Sequence, residues 1–100
     1  MGSISMSYYV HNLQEGFRPS PPGYSSWIDY WERKTGIKAP KCHRTGCNES
    51  VSEGAHVQLV DGGNEWYIVP LCHKCNMKRG QSFLVDGALV PVNSSNQILW

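Results

Sequence analysis

The sequence predicts a small α+β domain, and three observations carry that prediction. One segment places large aromatic residues at the helical period. Two stretches of strand-like, alternating sequence are built around turn dipeptides. Two close pairs of cysteines sit at the joints between these elements. At 100 residues the chain has room for one domain with a modest core, which a covalent or metal staple would help to hold. Four tryptophans, five tyrosines and two phenylalanines supply much of the area such a core can bury.

In chain order, residues 7–12, "SYYVHN", read as a short strand. The following "GFRPSPPG" has three prolines and two glycines and cannot be helical, so it is a connector. "YSSWIDYWERKTG" is the clearest helix. Tyr24, Trp27, Ile28 and Trp31 fall at i, i+3, i+4 and i+7 and form one apolar stripe. Ser25 or Ser26 suits the N-cap, Arg33 and Lys34 the last turn, and Gly36 the C-terminal stop. "CHRTGC" then forms a knuckle in which Gly46 can take a positive φ. "GAHVQLV" and "EWYIVP" are two strands around the turn "DGGN". "CHKCNMKRG" is a short helix ending at Gly80, and "SFLVDGALVPV" repeats the hairpin pattern with Asp86-Gly87 at its turn. His11 and His43 are expected at the surface.

The cysteines carry the strongest signal. Cys42 and Cys47 form a C-x4-C pair, and Cys72 and Cys75 a C-x2-C pair; there are no others. A close pair on a tight loop gives two of the four soft ligands of a tetrahedral zinc ion at little backbone cost, and two pairs close the site. Two disulfides are one alternative, and redox chemistry at Cys72-His73-Lys74-Cys75 another. The opening "MGSISMSYYV" lacks the basic and apolar regions of a secretory signal, so a cytoplasmic, reducing setting is expected, which favours metal over disulfides. Redox chemistry would leave Cys42 and Cys47 unexplained. The expectation is therefore one structural Zn2+ held by Cys42, Cys47, Cys72 and Cys75. Residues 1–22 are read as an N-terminal segment, 23–93 as a single zinc-binding domain, and 94–100 as a polar tail.

No run of eighteen apolar residues occurs, so no membrane association is expected. The net charge of +1 argues against a protein that coats nucleic acid by bulk electrostatics. The cations are nonetheless concentrated. Arg33, Lys34, Lys38, Lys41 and Arg44 fall in one segment and Lys74, Lys78 and Arg79 in another, and no acidic residue interrupts 33–48 or 66–85. These basic segments can offset the charge of zinc-bound thiolates or contact phosphates. Arg44, Lys74, Lys78 and Arg79 are the candidates for the second role.

A knuckle, a hairpin and a Cys-x-x-Cys that opens a helix follow in the order of a treble-clef zinc finger. "GAHV", "YIVPLC" and Cys75-Asn76-Met77-Lys78 resemble zinc-containing HNH endonucleases of the ββα-metal type, over about residues 40–80. The resemblance implies a zinc-bound treble clef (HNH-like ββα), here extended by an N-terminal aromatic amphipathic helix and a C-terminal β-hairpin. It places His56 as the general base and Asn76 as a ligand of a catalytic Mg2+ or other divalent ion. Where the family carries a further metal ligand this chain has Ala55, and where it carries the middle asparagine it has Tyr67. Glu53, Asp61 and Glu65 are the other carboxylates that could serve such an ion. The expectation is a monomeric, non-catalytic HNH-like protein that binds DNA, RNA or a protein partner. An active metal-dependent nuclease using His56 is the first alternative. A purely structural zinc protein with a protein-docking surface is the second.

Overall fold

A computed structural model describes residues 7–13, 19–39 and 41–92. The expected tail 94–100, and residues 14–18 of the N-terminal segment, lie outside the described residues. Among these residues, five strands form one antiparallel sheet in the order β4-β1-β2-β3-β5. They are β1 (Ser7–Asn12), β2 (Glu53–Leu59), β3 (Tyr67–Leu71), β4 (Ser82–Asp86) and β5 (Val90–Pro91). Two helices among the described residues accompany them, α1 (Trp27–Thr35) and α2 (His73–Asn76). No helix among the described residues is long and apolar enough to cross a membrane.

The strand period sorts the core into two clusters, one on each face of the sheet. Ala55, Val57, Val69, Leu71, Val10, Phe83 and Val85 pack on one face with Cys42, Cys72 and Cys75. Ile68, Val90 and Val92 pack on the other with Trp27, Tyr30 and Trp31 of α1. The cysteines and α1 therefore lie on opposite sides of β2 and β3. β1, which the sequence places in the N-terminal segment, is inserted between β4 and β2, with Val10 opposite both Phe83 and Leu59. On the α1 side of β1 and β4, Tyr9 and its register partner Leu84 stay exposed.

The helix forms for the reasons its sequence gives. The Ser26 hydroxyl accepts from the Asp29 N–H at 2.9 Å, which satisfies an orphan donor of the first turn, and the Asp29 carboxylate accepts from the Ser25 N–H just before the cap at 3.0 Å. Gly36 ends the helix in the left-handed region with φ 74°. The buried stripe differs from the expected one. The cap at Ser26 starts the helix after Tyr24, and the buried face is Trp27, Tyr30 and Trp31, with Ile28 only half-buried. Tyr24 instead meets Tyr30 edge-on from the preceding turn, at 4.9 Å between ring centroids. The polar atoms of this face are used as ties: Tyr30 donates to the Pro91 carbonyl at 2.8 Å and Trp31 to the Ala88 carbonyl at 3.0 Å.

The expected C-terminal hairpin does not form. β4 pairs with β1 at one edge of the sheet, whereas β5 pairs with β3 at the other. The Asp86-Gly87 turn carries the chain from edge to edge rather than back on itself. Four flat strand spacings would span about 19 Å, and four residue steps from Asp86 to Val90 reach only about 14 Å. The sheet must therefore curl so that its edges approach. The cysteine knuckle helps to bridge that curl: His43 donates to the Pro70 carbonyl at 2.9 Å on β3, and Asp86 on β4 donates to the His43 carbonyl at 2.8 Å.

Candidate metal centre and adjoining cleft

Each cysteine pair is held by its own local geometry. In the knuckle, Cys47 donates to the Arg44 carbonyl at 2.9 Å and Gly46 takes φ 85°, which a side chain would resist. Cys42 donates to the Glu49 carbonyl at 2.9 Å, which closes the loop at its base. On the other side, Cys72 is the N-cap of α2, and its Sγ accepts from the Cys75 N–H at 3.4 Å. The four-residue α2 is shorter than the helix expected to reach Gly80.

These two local structures bring all four sulfurs within 4.8 Å of one another. The sulfur of Cys47 lies 3.9 Å from those of both Cys72 and Cys75. All four residues are free cysteines, three of them buried. Burial pushes the Cys42 thiol up to about 12. Burial also raises the Cys75 thiol. It acts in the same direction on Cys72, but the Cys75 N–H and the neighbouring thiols outweigh it and the net shift is downward. Cys42 and Cys75 therefore resist ionisation alone, and a bound cation would deprotonate them. Four soft donors in a closed cluster can hold a metal ion such as zinc and leave no open position on it.

Arg44, a candidate phosphate contact, turns inward. Its guanidinium lies 5.1 Å from the Phe83 ring centroid, and one N–H reaches the Cys75 sulfur at 3.9 Å. His43 is also not the surface residue expected. Its ring meets Trp31 edge-on at 5.1 Å, and its Nδ1 is shielded from solvent. Lys74 and Arg79 are exposed and Lys78 is half-buried, all on α2 or just after it.

His56 and Asn76 lie on elements that approach one cleft of about 520 Å³, lined also by Asn12, Glu53, Trp27 and Arg79. His56 points to the α1 side of β2. Its ring stands edge-on to Trp27 at 4.6 Å and to Trp66 at 6.1 Å, with Nε2 shielded from solvent. Asn76 comes from the cysteine side, where its side-chain amide donates to Glu53. The second carboxylate oxygen of Glu53 lies 2.7 Å from His73 Nδ1. Ala55 is 1% exposed, inside the core beside the cysteines. The Tyr67 phenol donates to Glu65 at 2.9 Å, and that bond, with a smaller contribution from burial, raises its pKa.

Two participants carry little signal in the sequence. Asn12 is 1% exposed, and its side chain donates to the Asn76 carbonyl at 2.9 Å. Its own backbone accepts from Gly80 at 2.7 Å and donates to Gln81 at 2.9 Å. A polar residue closing a strand is the only local sign of this, and it does not name a partner. His73 sits inside the Cys-x-x-Cys as one of its two spacer residues, and its contact with Glu53 depends on how α2 crosses the start of β2.

Comparison with known proteins identifies no relative: no protein-family model, curated protein or solved structure matches the chain.

Proposed function

We propose that the protein is a zinc-folded domain of treble-clef, HNH-like type that binds nucleic acid across α2 and the turn after it, without cleaving it. The observation that carries the reading is the spacing of the sulfurs. Zinc–sulfur bonds of about 2.3 Å in a tetrahedron set its edges at about 3.8 Å. Two of the sulfur pairs lie at 3.9 Å, and all four sulfurs lie within 4.8 Å of one another. A disulfide would need about 2.05 Å. Zinc with four thiolates carries a charge of −2, and Arg44 stands where it offsets part of it. Support for a polyanionic partner is the run 66–85, free of acidic residues, with Arg79 lining the cleft and Lys74 and Lys78 on α2 or just after it. A thiolate site of this kind suits the reducing cytoplasm.

Native mass spectrometry should show one zinc per chain. Binding to nucleic acid should weaken steeply with salt, and replacing Lys74, Lys78 and Arg79 by glutamine should lower the slope of log K against log salt by about one for each phosphate no longer neutralised. Salt-insensitive binding, or none, would remove the nucleic-acid reading and leave a zinc-folded domain with another partner.

One observation favours a hydrolytic second reading: the Glu53 carboxylate stands beside Asn76 in a cleft that His56 also lines. If a divalent ion sits there it supplies the charge stabilisation phosphodiester cleavage needs. A general base must reach water, and shielding of His56 Nε2 places this reading second. Zinc-loaded protein should nick plasmid DNA with magnesium, manganese or nickel, and His56→Ala should abolish it. No cleavage with any of the three would end the hydrolytic reading.

A further inference from the structure

We infer that the open half of the sheet, on the α1 side of β1 and β4, is a platform for single-stranded nucleic acid, with unpaired bases stacked on Tyr9 and His11. The inference rests on the nucleic-acid reading above and deepens it, because it makes the partner an unpaired strand rather than a duplex.

α1 packs on β2, β3 and β5. On the same side of the sheet, Tyr9 of β1 is 50% exposed and its register partner Leu84 of β4 is 46% exposed. Alternation along β1 turns His11 to this side as well, opposite Ser82 on one flank and Gln58 on the other. His11 Nδ1 lies 3.3 Å from the Ser82 hydroxyl, which holds the ring across the strands. Gln58 is held in turn by donating to the Asn64 carbonyl at 3.1 Å. The face therefore presents two rings with polar groups fixed beside them. A protein-docking face would instead show a contiguous apolar patch.

Charge places the backbone of the strand. The turn after α2 rounds the end of β1, where Gly80 donates to the Asn12 carbonyl at 2.7 Å and Asn12 donates to the Gln81 carbonyl at 2.9 Å. β4 then begins at Ser82, beside His11. The same turn sets Arg79 in the cleft with Leu13 and His56. Leu13, two residues beyond His11, donates to the His56 carbonyl at 3.2 Å, so cleft and open face are continuous. Arg79 marks the end where a phosphate is attracted. At the far end Asp86, which accepts from Ser7 at 2.7 Å, repels one. A strand that enters at Arg79 is thereby confined to a short footprint over His11 and Tyr9.

Spacing selects an unpaired strand. Two residues along a β-strand separate Tyr9 from His11 by about 7 Å, whereas successive bases of a duplex rise about 3.4 Å. Neighbouring bases can meet both rings only when they are unstacked from one another. A single strand allows that and a duplex forbids it.

The test uses the zinc-loaded full chain and one labelled oligonucleotide sequence, as single-stranded DNA, as single-stranded RNA and as duplex DNA, followed by fluorescence anisotropy. At least one single strand should bind about tenfold or more tighter than the duplex. Tyr9→Thr should weaken that binding about tenfold, while Tyr9→Phe, which keeps the ring, should retain it. Threonine suits a strand and Tyr9 is half exposed, and zinc content by native mass checks that the variant folds. The His11 ring signals should also shift when the strand is added to the unaltered chain, which reports on this face without any substitution. Binding that needs Lys74, Lys78 and Arg79 but ignores Tyr9→Thr and leaves His11 unmoved overturns the platform and keeps the nucleic-acid reading. No binding to any of the three overturns both. A dimer in sedimentation that Tyr9→Thr dissolves and the strand does not displace assigns the face to a second copy and overturns the proposal.

Discussion

Gly54 lies directly against the first turn of α1: a Cβ at this position would stand 2.7 Å from the Trp27 carbonyl carbon and 3.0 Å from the Ile28 nitrogen. The helix can seat on β2 only because the strand has no side chain there. The same close approach sets His56, two residues on, against the Trp27 ring.

Gly54→Ala should therefore destabilise the domain by about 1–3 kcal/mol, the usual range for overpacking, since its neighbours are backbone atoms and the Trp27 Cβ, none of which can rotate away. Urea denaturation checks this. Alanine at Gly63, which meets nothing within 4 Å, should cost far less.

Removal of the metal should unfold the chain. Binding free energy of a structural zinc site is folding free energy, on the order of 10 kcal/mol in zinc-finger peptides. Circular dichroism in a strong chelator should show loss of the sheet, recovered on adding zinc. Cys72→Ala should lose more than Cys47→Ala, because Cys72 also caps α2 and is buried whereas Cys47 is half-buried. A fold that survives chelator but fails in reductant would contradict the zinc assignment.

Arg44→Gln should speed zinc release without altering the number of ions bound. The substitution removes a charged donor 3.9 Å from the Cys75 sulfur and a cation stacked on Phe83. Loss of such a partner weakens metal affinity about 10- to 100-fold. Competition with a chromophoric chelator measures it. Arg44→Lys should recover part of the effect through charge but not the planar stacking.

Asp86 joins three parts of the fold, accepting from Ser7 on β1 at 2.7 Å and from Thr45 in the knuckle at 2.9 Å. These two hydrogen bonds, the Ser7 one foremost, hold its pKa below the ordinary carboxylate value. A depressed folded pKa means the unfolded chain takes up the proton first. The stabilisation is thus complete above the unfolded value, near 3.9, and is lost as pH falls through it toward the folded value. Asp86→Asn should be less stable than the parent by a constant margin from pH 7 to about 5, and that margin should narrow near and below about pH 4. Paired urea titrations check the difference.

Local features were legible in the residues themselves. The Ser26 cap, the Gly36 stop, the positive φ at Gly46, the strand at residues 7–12 and the β2–β3 hairpin each depend on neighbours a few positions away. The convergence of Cys42, Cys47, Cys72 and Cys75 was legible for a different reason. Close pairs are built locally, and a shared ion is the simplest partner for two of them.

What the sequence alone determined about this protein is its set of elements and its four-cysteine cluster, because turns, caps and close ligand pairs are short-range chemistry. Tertiary structure decided the rest. The Asp86-Gly87 turn had a hairpin signature, yet β4 and β5 went to opposite edges, because β1 and β3 offered each a long-range partner. The strand period fixed that Ala55 and His56 face opposite ways, but only packing chose Trp27 for one and the cysteine core for the other. Glu53, His73 and Asn12 became neighbours of Asn76 only when α2 was laid across the ends of β1 and β2. Contacts between residues so far apart in the chain depend on how whole faces pack, which no local pattern encodes.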